Sequence, residues 1–165
     1  MRLREVPCKL TLHEVPAENI QVGEFEISSR LVCHPGPTVG YRITAKGKTV
    51  TYLPDHEPAL GLSNFPLTPD WTSGYPLAAD ADLLIHDSQY TAEQYPNHIG
   101  WGHSSLVDAI KFAKLANVKQ LVVFHHDPAN NDEYLDKFIA DTVSRMKPPF
   151  DVLPGTEGTT YNLSA

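Results

Sequence analysis

Apolar and polar residues alternate through the first half of the chain, and the second half changes to a helical spacing. Period-two alternation is typical of strands with one buried face, because successive side chains point to opposite faces of a sheet. It predicts four strands, over Lys9–Val15, Glu24–Val32, Gly40–Thr44 and Thr49–Leu53. The last two flank Ala-Lys-Gly-Lys, whose glycine favours a short hairpin turn.

Short apolar runs in the second half predict further strands, and two helices separate them. The predicted strands are Ala81–His86, Gln120–Phe124, Phe150–Leu153 and Thr159–Leu163. Ser105 begins a sequence like a capping box, and apolar residues then continue at helical spacing to about Ala116. Asn131 favours an N-cap for a second helix over Asp132–Met146.

A proline-rich stretch from Pro54 to about Pro76 separates the two halves and is typical of a functional loop because of its length. The order of elements predicts an α/β fold in which helices cover a sheet. We find no linker or repeat, so residues 1–165 are expected to form one domain or one large piece of a domain. The strand-rich half contains no strong helix, so we expect an exposed, apolar sheet face.

The composition limits the cellular locations and the binding partners that we expect for the chain. Two cysteines, Cys8 and Cys33, are too few for a disulfide framework and favour a reducing, cytoplasmic location. No stretch approaches the ~20 apolar residues of a membrane span. Twenty acidic and thirteen basic residues give a net charge of −7 without a basic run. This balance argues against strong nucleic-acid binding by the chain alone, but not against a phosphodiester substrate held by metal ions.

Four polar clusters that contain histidine lie at the ends of predicted elements. They are Cys33-His34-Pro35-Gly36, Pro54-Asp55-His56-Glu57, Gly100-Trp101-Gly102-His103-Ser104-Ser105 and Phe124-His125-His126-Asp127-Pro128. Imidazole nitrogen and carboxylate oxygen are typical ligands of zinc, manganese or iron in hydrolytic sites, and a carboxylate can bridge two ions. Two or three histidines and one aspartate from separate strand ends would suit such a site.

The same residues have simpler structural roles available. His34 precedes Pro-Gly-Pro and could be a turn residue, Asp55 could cap a turn or helix, and His103 could cap the helix that follows. One of the pair His125 and His126 could hydrogen-bond across the next turn. The remaining histidines are expected to be structural or at the surface: His13, His56, His86 and His98.

Five motifs follow one another between about residues 25 and 135. They are His-Pro-Gly-Pro-Thr-Val-Gly-Tyr-Arg-Ile from residue 34, Thr-Tyr-Leu-Pro-Asp-His-Glu-Pro from residue 51, Leu-Leu-Ile-His-Asp-Ser-Gln-Tyr from residue 83, Gly-Trp-Gly-His-Ser-Ser from residue 100 and Leu-Val-Val-Phe-His-His-Asp-Pro from residue 121. Together they resemble the metallo-β-lactamase-fold hydrolases of the ribonuclease Z and phosphodiesterase branch. The resemblance implies an αββα sandwich with a two-metal site at one edge of its sheets.

The resemblance also implies a role for each matching residue. His34, Asp55 and His125 would be metal ligands, with Asp55 bridging two ions, of zinc in the first place and otherwise of manganese or iron. His103 would assist proton transfer to the leaving oxygen, so His103 and Asp55 are the residues expected to act in catalysis. Two further residues would orient these groups or bind substrate: Asp87 and His126.

One feature of the family is absent from this sequence. The signature His-x-His-x-Asp-His, which supplies four metal ligands in the family, occurs nowhere in the chain. The sequence therefore resembles the C-terminal half of the family's domain. With three matching ligands, each metal would have at most two protein ligands, so we expect weak metal binding and slow hydrolysis by the chain alone.

Two functions remain open from the sequence, while a third, a degenerate metal-free scaffold, is disfavoured because His34, Asp55, His103 and His125 are all present. The first is metal-dependent hydrolysis of a phosphodiester or similar ester by a metal-activated water, with a small-molecule or phosphodiester substrate. The alternative is a non-catalytic half-domain that pairs through its open sheet with a complementary chain, the missing N-terminal half or its own copy.

Overall fold

A computed structural model describes residues 7–8, 10–62 and 69–163 of the chain. The strands among these residues are β1 (Ile20–Val22), β2 (Phe25–Leu31), β3 (Val39–Ala45), β4 (Lys48–Leu53), β5 (Leu83–Asp87), β6 (Gln120–Phe124) and β7 (Asp151–Pro154). The α-helices are α1 (Tyr75–Ala78), α2 (Leu106–Leu115) and α3 (Asp132–Met146), and short 3₁₀ helices lie at Pro69–Trp71 and Tyr95–Asn97.

The strands form one mixed sheet whose spatial order equals their order along the chain. β1 to β4 are joined as antiparallel neighbours, whereas β4, β5, β6 and β7 run parallel to one another. Parallel neighbours need crossover connections, and these connections carry the three helices. The carboxyl ends of β4, β5 and β6 consequently meet at one edge of the sheet.

The predicted hairpin between β3 and β4 is confirmed. Tyr41 pairs with Tyr52, and the strands are joined by a two-residue turn at Lys46 and Gly47. Both turn residues have positive φ, 51° and 73°. Such a turn matches the right-handed twist of the flanking strands, and glycine takes the second position without steric penalty.

The helices pack on one face of the sheet, where the buried core lies. Leu53, Leu84 and Leu121 come from three neighbouring strands and are each 0% exposed. Phe112 of α2 packs among them, also fully buried. The helical spacing of the apolar residues in α2 therefore predicts correctly which face of that helix is covered.

Both predicted helix N-caps are present. The Ser105 hydroxyl accepts a hydrogen bond from the Asp108 backbone N–H at 3.0 Å, and the Asn131 side chain accepts one from the Tyr134 backbone N–H at 2.9 Å. Each cap satisfies one of the N–H groups that a helix terminus leaves without an intrahelical partner. The two helices begin where the sequence predicts.

The other face of the sheet is also apolar, as the strand alternation predicts. Tyr41, Ile43, Val50, Tyr52 and Ile85 lie on alternate positions of three neighbouring strands and are half-buried. In register, Ile43 lies opposite Val50, and Tyr52 lies beside both Tyr41 and Ile85. None of the five belongs to the buried core that the described helices complete.

Two predicted strands at the ends of the chain are wrong. Residues 10–15 form no strand, and Lys9 lies outside the described residues. Thr159–Leu163 also forms no strand, although the Tyr161 hydroxyl donates to the Pro154 backbone oxygen at 2.7 Å. Both segments are mostly exposed, and alternation in a short segment does not make a strand unless a neighbour pairs with it.

The proline-rich stretch is largely irregular, as predicted, but contains the 3₁₀ helix at Pro69–Trp71 and the first residues of α1. Residues 63–68 of this stretch lie outside the described residues. Across the described part of the chain, no helix combines the length and apolar character needed to span a membrane.

Candidate metal-binding site

Polar side chains gather where the parallel strands end. Asp55 lies two residues beyond β4, Asp87 is the last residue of β5, and His125 follows β6 directly. His103 comes from the loop before α2. The parallel arrangement places all of these segments at the same edge of the sheet, although they are far apart in sequence.

These four residues form one cluster of possible metal ligands. One ligand atom from each of Asp55, Asp87, His103 and His125 lies within 4.8 Å of the others. Asp55 Oδ1 is 3.4 Å from His125 Nε2 and 4.0 Å from His103 Nδ1. The two imidazole rings stack with centroids 4.8 Å apart and planes 11° from parallel.

Asp87 and His103 form the tightest contact in the cluster. The buried Asp87 carboxylate lies 2.6 Å from His103 Nδ1, and its other oxygen accepts hydrogen bonds from the backbone N–H groups of Ser104 at 3.0 Å and Gln89 at 3.1 Å. The hydrogen bond to Asp87 raises the pKa of His103, against the opposing effect of burial. Because a carboxylate can only accept, Nδ1 carries the proton and Nε2 remains for another partner.

His125 has an unusual backbone conformation. Its φ is 57°, in the left-handed region that residues other than glycine rarely adopt. Such conformations occur preferentially at functional sites, where the surrounding structure holds them. The neighbouring His126 is not part of the cluster, and burial lowers its pKa.

His34 lies beside the cluster but outside it. Its ring centroid is 5.6 Å from that of His103, in an edge-on arrangement. Its Nδ1 contacts the Thr38 hydroxyl at 2.9 Å and the Gly36 backbone N–H at 3.2 Å, so Nε2 is the nitrogen left for a metal. Gly102, with φ of 92°, packs so closely on the ring that a Cβ atom there would collide with it.

Glu57 supports the loop that carries His103, a role that the sequence analysis did not identify. Its carboxylate is 1% exposed and accepts hydrogen bonds from the Tyr95 hydroxyl at 2.9 Å and the backbone N–H groups of Gly100 at 2.8 Å and Gly102 at 2.7 Å. Burial in this environment raises the pKa of Tyr95. The available signal was a glutamate four residues beyond the predicted end of the strand at Leu53, directly after His56.

Two of the histidines expected to be structural or at the surface are fully buried behind the site. His56 and His86 are each 0% exposed, and His56 Nδ1 lies 2.9 Å from His86 Nε2. Burial lowers the pKa of both imidazoles, so both are neutral near pH 7. Of the others, His13 is exposed, whereas His98 stacks on Tyr90 with ring centroids 4.3 Å apart.

The cluster has donor chemistry that suits a divalent metal. It combines two carboxylates and two imidazoles, and its ion pairs are with its own histidines. Oxygen and nitrogen donors of this kind bind zinc, manganese and iron. Asp55 and His125 are the pair best placed to contact one ion, since Asp87 is already bonded to His103.

The α/β sheet gathers histidine and aspartate side chains at the ends of its parallel strands, an arrangement that could hold a metal ion. Residues 2–126 match the family model described as the beta-lactamase superfamily domain. The match covers most of the chain, which therefore belongs to the beta-lactamase superfamily.

Individual relatives agree with this assignment. The chain is 35% identical over 94 residues to a ribonuclease Z of Sulfurisphaera tokodaii, covering 57% of this chain and 27% of the relative. It is 27% identical over 188 residues to a ribonuclease Z of Thermococcus onnurineus, covering 89% and 60%. The chain thus spans only part of the length of the curated relatives it matches.

A solved structure shows the same fold. The metallo-beta-lactamase fold protein YhfI from Bacillus subtilis superposes with a TM-score of 0.67 and 24% identity, covering 90% of this chain and 54% of that chain. The predicted fold class is confirmed. The described residues form one sheet with helices on one face, which corresponds to two of the four layers in the αββα sandwich.

Proposed function

We propose that the protein is a metal-dependent hydrolase of phosphodiester or similar ester bonds. The observation that carries this proposal is the cluster of Asp55, Asp87, His103 and His125, whose ligand atoms lie within 4.8 Å of one another. Membership of the beta-lactamase superfamily and the resemblance to ribonucleases Z support the same class of reaction.

We assign the roles from the contacts of each residue. Asp55 and His125 would hold metal, joined by His34 through its free Nε2. Divalent metal, when bound, would supply activation of a water molecule and stabilisation of the leaving oxygen. His103, held at Nδ1 by Asp87, would present Nε2 to the leaving oxygen and donate a proton there when the ring is protonated.

Metal content of the purified chain after dialysis tests this proposal. We expect zinc, manganese or iron to be retained, and Asp55→Asn and His125→Gln to lower the content at least severalfold. Asp141→Asn, on the exposed side of α3, is the matched control and should change nothing. Less than about half an ion per chain in all proteins, even after reloading with zinc, would contradict a functional metal centre in this chain.

The net charge favours a small phosphodiester as substrate. The chain carries −7 without a basic run, and a long nucleic acid needs phosphate neutralisation by lysine and arginine to bind tightly. We expect metal-loaded protein to hydrolyse bis(p-nitrophenyl) phosphate and the Asp55→Asn variant not to. Faster cleavage of a precursor tRNA than of small diesters would contradict this choice of substrate and favour the ribonuclease Z activity named in the relatives.

The location we propose is the cytoplasm. Cys8 and Cys33 are both free, and free thiols persist in reducing compartments. Cell fractionation with an antibody to the chain would test this, and recovery in an oxidising compartment would contradict it.

A second candidate function is pairing through the open sheet face. The half-buried strip of Tyr41, Ile43, Val50, Tyr52 and Ile85 is the observation that favours it, because contiguous apolar surface marks interaction sites. We expect the chain to form dimers or to bind a complementary chain through this face. Light scattering should show dissociation in Ile43→Asp but not in Leu12→Asp, a control at an exposed leucine that belongs to no strand of the sheet. A monomeric wild-type chain that binds no partner would contradict this function.

A further inference from the structure

Three polar side chains form a hydrogen-bonded line behind the candidate site. His86 Nδ1 lies 2.6 Å from the Asp87 backbone oxygen, and His86 Nε2 lies 2.9 Å from His56 Nδ1. His56 Nε2 lies 3.2 Å from the Ser73 hydroxyl, which accepts the Cys33 backbone N–H at 2.7 Å. Both rings are 0% exposed, so these bonds are shielded from bulk solvent.

The chemistry of the groups allows one direction for the line. A backbone carbonyl only accepts, so His86 Nδ1 must carry a proton and, in a neutral ring, Nε2 must accept. His56 Nδ1 therefore donates to His86, and His56 Nε2 accepts from the Ser73 hydroxyl. Every donor and acceptor is then satisfied, from the Cys33 N–H at one end to the Asp87 carbonyl at the other.

The line connects the loops that carry the candidate ligands. Cys33 precedes His34, His56 follows Asp55, and His86 precedes Asp87. The Ser104 hydroxyl also donates to the His56 backbone oxygen at 2.6 Å, which attaches the loop of His103. The buried imidazoles of His56 and His86 thus connect, through hydrogen bonds, the segments that carry His34, Asp55, Asp87 and His103.

We propose that His56 and His86 are positioning residues, whose fixed Nδ1–H tautomers hold the loops of His34, Asp55 and Asp87 in the arrangement that the metal centre requires. The consequence for metal rests on the proposed function, but the tautomers do not. If His56 and His86 only filled space, two apolar side chains of similar volume would do so without the free-energy cost of burying the polar ring nitrogens. Hydrogen bonds add direction, since each ring must face its partner with a defined nitrogen.

Nitrogen NMR of the histidine rings in the full, metal-free chain tests the tautomers directly. We expect both buried rings to be neutral with the proton on Nδ1. A proton on His86 Nε2 or on His56 Nε2 would overturn the proposal. This measurement needs neither metal nor activity, so its outcome is separate from that of the proposed hydrolase function.

Two matched variants test whether the direction of the line matters. In His56→Asn the side-chain amide nitrogen replaces Nδ1 and can still donate to His86, whereas in His56→Gln the amide reaches the Nε2 position and can only replace the contact with Ser73. We expect the Ser104 amide, which donates to Asp87 Oδ1, to exchange with solvent about tenfold faster in the glutamine variant than in the asparagine variant. Equal exchange in the two variants would overturn the proposal.

Zinc affinity supplies the second readout. We expect zinc to bind about tenfold more weakly to His56→Gln than to His56→Asn. If the glutamine variant fails to fold, Ser73→Ala replaces it. In this variant the Cys33 amide should exchange with solvent about tenfold faster, while His86 keeps its Nδ1 proton. An unchanged exchange rate of the Cys33 amide would overturn the proposal. A wild-type chain that binds no zinc contradicts the proposed function and leaves the tautomer measurement to decide the hydrogen-bonded line.

Discussion

Asp87→Asn tests how the charge of one buried carboxylate controls the candidate site. Asp87 is 0% exposed, and its oxygens contact His103 Nδ1 at 2.6 Å and accept from Ser104 and Gln89 at 3.0 and 3.1 Å. Asparagine keeps an oxygen for the two backbone amides but presents an amide nitrogen to His103. The substitution therefore removes one interaction, the hydrogen bond between the imidazole and a charged acceptor.

The expected loss of stability depends on pH, and its sign follows from the pKa of His103. The bond to Asp87 raises this pKa above its ordinary value of 6.5 in the folded chain. Stability gained in this way is fully present below the ordinary pKa and is lost as the pH rises through the folded-state pKa. A hydrogen bond to a charged group contributes about 1.5–3 kcal/mol, so the variant should lose about that much at about pH 5.5 and less at about pH 8.5.

Urea unfolding of the metal-free chain with a chelator present, at the two pH values, measures the effect. The Asp141→Asn variant of the exposed side of α3 is the control and should show no pH-dependent difference from wild type. NMR titration of His103 should show a lower pKa in Asp87→Asn. A constant difference in free energy of unfolding at both pH values, with an unchanged pKa of His103, would refute the reasoning.

Three further substitutions have expected outcomes in the unfolding assay. Glu57→Gln should destabilise the fold by about 2–3 kcal/mol, because a buried charged acceptor of three hydrogen bonds becomes a neutral one, and a loss below 0.5 kcal/mol would contradict this. Gly102→Ala should destabilise more than Gly100→Ala, since both have positive φ but only the first methyl group would collide with His34; equal losses would contradict the close contact. Ser105→Ala should lose about 1 kcal/mol with the N-cap of α2, and full stability would show that the cap is dispensable.

Much of the fold could be predicted because its elements leave local signals. The β6 strand and the α3 helix have the predicted bounds, since a run of five apolar-rich residues and an asparagine cap are each visible within a few positions. The terminal segments could not be predicted in the same way. Whether Thr159–Leu163 pairs with a neighbour depends on where the rest of the chain lies, and its alternation alone carries no such information.

The candidate site was predictable only in part, because its residues are far apart in the sequence and only the arrangement of the strands brings them together. The sequence singles out Asp55, His103 and His125, and the structure brings these three residues together. His34 was also expected among the ligands; it lies beside the cluster, and its own turn engages Nδ1 and leaves Nε2 for a metal. Spacing along the chain cannot show which nitrogen of a histidine is free, as that depends on contacts in three dimensions.

The run Asp55-His56-Glu57 shows why the site and the stability of the fold are coupled. Three consecutive side chains after β4 make different contacts. Asp55 belongs to the ligand cluster, His56 belongs to the buried hydrogen-bonded line, and Glu57 accepts hydrogen bonds from the glycines before His103. His56 and Glu57 are almost fully buried, so the residue that would hold metal is followed by two polar side chains whose hydrogen bonds the folded chain must provide. A change that moves this run would disturb ligand geometry and folding together, whereas substitutions of Asp55 alone, half-exposed at the edge of the sheet, should affect metal binding with little loss of stability.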